Sequence, residues 1–226
     1  MTRSYGQYCP ISKASELLGD RWTLLIVREL LFGPLRFTDM EEGLPGISRS
    51  VLSDRLKNLQ RAGICEKTSD GAYRFTDAGE AMRPVLQSMG DWVARWIMND
   101  PTPAESDPRL LILFISRHVN REALPEERVV AEFRLSDPDD VIWLLLECDD
   151  VSVCPEDPGL PIDLVVEART PDLYRVYIGR TTLDTERAEG RIEIRGRPSM
   201  VNAFPGWMKW SSFTEASRQA VSAAGQ

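Results

Sequence analysis

Along residues 47–63, ISRSVLSDRLKNLQRAG, the apolar positions Val51, Leu52, Leu56 and Leu59 recur at steps of 1, 4 and 3, the spacing that lines one side of an α-helix. A helix over 48–62 follows, with the Ser48 hydroxyl placed to cap its first free N–H groups and Gly63 to stop it. Three helices are predicted ahead of it. Pro10 takes the first turn of a helix that runs to about Leu18, and Gly19 ends it. RWTLLIVRELLF (21–32) is almost uniformly apolar apart from Arg21, Arg28 and Glu29, as suits a helix at the centre of a small core, and Gly33 and Pro34 stop it. RFTDMEEGL (36–44) spaces Phe37, Met40 and Leu44 by 3 and 4, and the turn PGI (45–47) leads into the Ser48 helix.

After Gly63 the period falls to 2: ICEKTSDGAYRF alternates around Ser-Asp-Gly, which predicts a hairpin over 64–76. Thr76 and Asp77 then cap a long helix to about Met98, interrupted by Pro84, with Met82, Val85, Leu86, Met89, Val93, Trp96 and Ile97 on a stripe too wide for one small domain to cover. NDPTPAESDP (99–108) has three prolines and no large apolar residue, a linker composition. The chain therefore divides into domains 1–98 and 109–226. In the second, LLILFISRHV predicts a helix, VVAEFRL, VIWLLLE, VSVC and IDLVVEA predict strands, and DLYRVYIG and TLDTERAE predict helical pieces. A strand RIEIRG and a final helix from about Pro198 to Phe213 complete an α+β open sandwich.

Charge sharpens the picture. The net charge is −8, yet residues 1–100 hold 13 basic against 13 acidic residues, and the whole excess falls in 101–226. On the Ser48 helix, Arg49, Ser50, Ser53, Lys57 and Gln60 project opposite the apolar side, while Arg49, Arg55, Lys57 and Arg61 face only Asp54 within 48–61. A basic outer face in an acidic chain points to a local polyanion partner. Arg55 projects inward and needs an acid, with Glu29 or Asp39 as candidates. Helix, turn, exposed-face helix and ribbon in that order is the winged helix, whose second helix enters the major groove of double-stranded DNA. Base or phosphate contact is assigned to Arg36, Ser48, Arg49, Ser50, Ser53 and Lys57, and phosphate contact to Lys67 and Arg74 on the ribbon. A second reading makes the chain an apolar-ligand-binding protein whose winged helix docks a protein; the basic face favours DNA.

The run CPISKASELLGDRWTLLIVRELLFGPLRFTDMEEGLPGISRSVLSDRLKNLQRAGI, with TDAGEAMRPVL after it, resembles the HxlR-type winged helix–turn–helix regulators over residues 9–64 and beyond the ribbon. The resemblance implies a homodimer built from the first and last helices of this domain and an inverted-repeat operator, with repression as the expected outcome. It also implies that Cys9, which precedes Pro10 where the helix dipole favours a thiolate, serves in some members as a redox sensor. The other reading of Cys9 is a small buried residue.

PIDLVVEARTPDLYRVYIGRTTLDTERAEGRIEIRGRPSMVNAFPGWM resembles the sterol-carrier-protein-like domains, through a strand, a helix carrying YIG, a G-R-I strand and a closing helix. That resemblance implies an apolar small-molecule effector between sheet and helices, with Trp143, Tyr174, Tyr177, Phe204, Trp207 and Trp210 as a lining, against the reading that they are plain core. A cofactor is not expected. One histidine, His118, and cysteines at 9, 65, 148 and 154 supply no metal-ligand spacing. No nucleophile elbow or phosphate loop occurs, so an enzyme is not expected. With no apolar run of membrane length and no secretory leader, a cytoplasmic protein without membrane association is expected.

Overall fold

The computed structural model describes residues 4–224, and the chain separates into two compact units, 1–88 and 89–226. Among the described residues no helix is long and apolar enough to cross a membrane.

The first unit holds α1 (Pro10–Leu18), α2 (Thr23–Leu30), α3 (Phe37–Glu42), α4 (Arg49–Arg61), β1 (Cys65–Lys67), β2 (Tyr73–Phe75) and α5 (Asp77–Glu80). Its core joins Ile26, Val27 and Leu30 of α2 to Met40 of α3 and to Leu52, Leu56 and Leu59 of α4. Each buried leucine contributes about 1.5–3 kcal/mol from burial, so α4 can rotate only by exposing three of them. Ser48 caps α4 by accepting from the Val51 N–H at 3.3 Å. At its other end Gly63 adopts φ +71°, a left-handed conformation that a side chain would strain. The ribbon pairs Cys65 with Phe75, Glu66 with Arg74 and Lys67 with Tyr73. Leu35 bridges to Tyr73 and joins the ribbon to the start of α3. Gly79 is required by proximity, since a Cβ there would lie 2.1 Å from the Ile64 carbonyl oxygen.

The predicted helix from Thr76 to Met98 is two helices, α5 and α6 (Arg83–Trp96). Pro84 has no N–H to give, and it stands in the first turn of α6, where none is needed. The division between the units falls within α6, after Ser88. The predicted linker 99–108 lies inside the second unit and contains a 3-10 turn, Pro103–Glu105. Asp107 then caps α7 (Pro108–Arg117) by accepting from the Arg109 and Leu110 N–H groups.

The second unit is built on a sheet of β3 (Val129–Ser136), β4 (Asp140–Leu146), β5 (Val151–Cys154), β6 (Leu164–Arg169) and β7 (Ile192–Gly196) in the order β5-β4-β3-β6-β7. Only β3 and β6 run parallel. One face buries Val129, Ala131, Phe133, Ile142, Leu144 and Val166 against α7, α8 (Thr170–Ile178) and α10 (Pro198–Trp207). The remaining helices are α9 (Leu183–Ala188) and α11 (Thr214–Ala224). The predicted closing helix from Pro198 to Phe213 is therefore corrected: it stops at Trp207, and the last helix, α11, begins only at Thr214. At Met208 the backbone turns extended and bridges to Val119, and the Lys209 N–H donates to the His118 carbonyl at 3.0 Å. These contacts end α10 before α11 begins.

Candidate nucleic-acid interface

α3 and α4 are joined by a turn in which Gly46 adopts φ +85°, and this sets the first turn of α4 at the surface. Arg36, Ser48, Arg49, Ser50, Lys57, Lys67 and Arg74 are exposed, and Ser53 is half-buried. The Ser48 and Ser50 hydroxyls lie 3.1 Å apart. Among the described residues no carboxylate pairs with Lys57 or Lys67. The Lys67 ammonium lies 5.4 Å from the centre of the Tyr73 ring.

Not every predicted cation is free. Arg74 donates from Nε and Nη2 to Glu66 Oε1 at 2.8 and 2.7 Å. Arg49 leans on α3, with Nη1 3.5 Å from Glu41 Oε2 and its guanidinium carbon 5.2 Å from the centre of the Phe37 ring. At Arg36 it is the backbone N–H, not the guanidinium, that donates to Asp39 Oδ2, at 3.1 Å. The carboxyl of Asp70, at the ribbon tip, is held below the usual carboxylate range by the Thr68 hydroxyl and its own amide, with the Arg36 charge adding to both.

Arg55 is half-buried, but neither predicted partner meets it. Its Nη1 pairs with Asp20 at 3.4 Å and its Nε donates to the Arg21 carbonyl at 3.3 Å. Glu29 is fully buried and accepts from Arg28 Nε and Nη2 at 3.0 and 2.7 Å, while Asp39 is engaged in capping α3. The sequence reading missed Glu66, Glu41 and Phe37. The first was recoverable: with Asp70 at the hairpin centre, Glu66 and Arg74 stand opposite one another. No periodic signal links Glu41 to Arg49.

Cys9 is the N-cap of α1 and is half-buried, with no capping hydrogen bond to its sulfur. The N–H groups of Ser12 and Ile11 nonetheless lower its pKa below the ordinary thiol value. Cys65 is the opposite case, its thiol pushed up to about 11 by burial. α1 buries no residue, and Ile11 projects into solvent. On α6, Val85, Met89, Trp92 and Trp96 repeat at steps of 4, 3 and 4 and are all exposed, Trp92 by 57 % and Trp96 by 67 %.

The aromatic set of the second unit does not line one space. Trp143 lies on the face of β4 opposite Ile142 and Leu144, because strand side chains alternate, and its Nε1 donates to Glu132 Oε2 at 3.0 Å. Tyr177, Phe204 and Trp207 are buried in the core, with Tyr174 and Trp210 packed against it. Phe204 sits 6.4 Å from Phe133 and 6.1 Å from Trp207, and Tyr177 stacks on Phe114 at 6.2 Å. A surface depression of about 400 Å³ does occur in this unit, lined by Pro103, Asp107, Arg109, Pro138 and Asp140 and by none of those aromatics.

Comparison with known proteins places the first unit. The HxlR-like helix-turn-helix family matches residues 17–101. YvaP of Bacillus subtilis, an uncharacterized HTH-type transcriptional regulator, is 38% identical over 103 residues, which cover 42% of this chain and 94% of that protein. The HTH-type transcriptional regulator YodB of the same organism is 34% identical over 106 residues, 44% of this chain and 95% of its own length. The crystal structure of quinone-bound YodB matches at 38% identity over 39% of this chain and 99% of that one, with a TM-score of 0.37. With nearly the whole of two such relatives aligned to it, the chain belongs to the HxlR-like helix-turn-helix family.

Proposed function

We propose that this chain is a homodimeric, cytoplasmic repressor that reads double-stranded operator DNA, with α4 in the major groove and the β1–β2 ribbon on the flanking phosphates. The observation that carries the reading is the exposed row Ser48, Arg49, Ser50 and Lys57 on a helix whose rotation is fixed by Leu52, Leu56 and Leu59. Arg49 offers a planar fork to guanine O6 and N7, and the serines can donate or accept at any base edge. Lys57 and Lys67, with no carboxylate on them among the described residues, take phosphates. The exposed stripe of α6, together with Ile11 on α1, supports a second copy as partner, since an apolar face of that width is seldom left in water. Two α4 helices related by a two-fold axis read half-sites one duplex turn apart, about 34 Å.

Regulation we assign to Cys9, whose position at the N-terminus of α1 joins thiolate character to an element of the proposed dimer contact. The second unit we read as a sterol-carrier-like regulatory or dimerisation body, on its order of strand, helix, strand and closing helix. The testing experiment is selection of duplexes from a random pool by the full-length protein, followed by binding titrations. Recovery of an inverted repeat whose selectivity drops with Arg49→Ala supports the reading. Failure to enrich any sequence in moderate salt overturns it.

A further inference from the structure

We propose that Glu41 and Phe37 are positioning residues for Arg49, holding its guanidinium at the angle from which it reads a base; this rests on the DNA-binding reading above. Phe37 opens α3 and Glu41 follows four residues later, so the two stand one turn apart on the same side of that helix. Arg49, the first residue of α4, lies against both: the ring is beneath its guanidinium at 5.2 Å and the carboxylate is 3.5 Å from Nη1. The bracket is firmer than the group it holds. Phe37 packs on the core of the first unit, and the Glu41 side chain is 24% exposed against 73% for Arg49.

An arginine at the mouth of a recognition helix has several rotatable bonds, and a free one would sweep over neighbouring bases and phosphates alike. Between a ring face and a carboxylate it is confined to a plane. Glu41 engages Nη1, which leaves Nε and Nη2 free to reach a base edge. The same carboxylate repels phosphates of every sequence. Glu41 thus sacrifices affinity that carries no sequence information and retains the contact that does, so its removal moves affinity and discrimination in opposite directions.

The experiment uses the full-length protein and a duplex selected from a random pool. Arg49→Ala first identifies the base pair that Arg49 reads. Preference at that pair is then measured for Glu41→Gln, Phe37→Leu and Phe37→Tyr, each with Arg49 present and with Arg49→Ala. Glu41→Gln and Phe37→Leu are expected to lower the preference about threefold or more, a fraction of what a full bidentate contact supplies. Phe37→Tyr, which keeps the ring, retains it. Glu41→Gln also tightens binding to a scrambled duplex. In the Arg49→Ala background none of them changes the preference. Unchanged preference with Arg49 present, or an equal loss without it, overturns the proposal while leaving DNA binding intact. If Phe37→Leu does not fold, the Glu41→Gln pair decides alone, because that side chain is outside the core. An Arg49→Ala protein with wild-type selectivity instead refutes the placement of α4, a separate failure.

Discussion

Glu66→Gln is expected to tighten DNA binding and to steepen its salt dependence. In the free protein Glu66 Oε1 accepts both the Nε and the Nη2 of Arg74, at 2.8 and 2.7 Å, from the directly opposite position on the ribbon. Both side chains are about half exposed, 57% for Arg74 and 50% for Glu66. An ion pair in that setting contributes about 0.2–1 kcal/mol, and a phosphate that recruits Arg74 must first displace the carboxylate. Removing the charge returns at most about 1 kcal/mol per protomer, roughly a fivefold gain in affinity for each half of the dimer. One further phosphate neutralised by each protomer is two for the dimer, which steepens the slope of log K against log salt by about 1.8. Fluorescence anisotropy of a labelled selected duplex, titrated between about 50 and 200 mM KCl, reads both quantities. Thermal unfolding checks the fold, for which a shift of no more than a few degrees is expected. An unchanged slope, or weaker binding at unchanged Tm, refutes the idea that Glu66 competes with DNA for Arg74.

Lys67→Ala should weaken all duplexes alike and flatten the same slope by about 1 for each protomer without altering base preference; a change in preference instead would make Lys67 a base reader. For Cys9, whose lowered pKa places thiolate formation in the folded protein at lower pH than in the unfolded chain, the associated stabilisation is present above the unfolded pKa and decays as pH falls through the folded one. Its alkylation by iodoacetamide should titrate below the pH at which the unfolded chain's thiol does, and Cys9→Ser should abolish both that reaction and any release of DNA by diamide. Trp92→Glu combined with Trp96→Glu should halve the mass measured by light scattering and leave Tm largely unchanged, since both rings are exposed within the single chain; a persistent dimer would exclude α6 as its seam. Glu29→Gln strips a fully buried carboxylate from Arg28, whose Nη2 also donates to the Gly43 carbonyl at 2.8 Å and whose side chain still reaches water, and should cost about 1.5–3 kcal/mol of unfolding free energy in urea.

What the sequence made legible were features written in a period. Leu52, Leu56 and Leu59 defined the buried side of α4 and hence its outer face, and Ser48 and Gly63 marked its ends. The strands β3 to β7 announced themselves by branched and aromatic residues. Features that depend on partners from other elements were not legible. Arg55 was rightly placed inward, yet its acid is Asp20 rather than Glu29, because Glu29 is already engaged with the adjacent Arg28. Trp143 looked like one of six equivalent aromatics, but period 2 in β4 puts it on the opposite face from Phe204 and Trp207. The end of α10 follows from the Val119 to Met208 bridge, a contact 89 residues apart that no local pattern encodes.

With α4 as the proposed reading helix, counting charges along 48–61 overstates what DNA would meet. Of Arg49, Arg55, Lys57 and Arg61, Arg55 is tied to Asp20 and Arg49 is leaned on by Glu41, while Arg74 on the ribbon is tied to Glu66. The cations left to neutralise phosphate without displacing an acid are few, Lys57 and Lys67 foremost. Non-specific affinity grows with the number of phosphates neutralised and collapses with salt, so a surface assembled this way binds arbitrary duplex weakly. Specific contacts lose little by comparison, because Arg49 is already oriented before the duplex arrives. The quantity that matters to a regulator among a genome's competing sites is the ratio of the two affinities. Pairing basic residues with nearby acids raises that ratio by lowering its denominator, which is how an interface of few free cations can serve a chain of net charge −8.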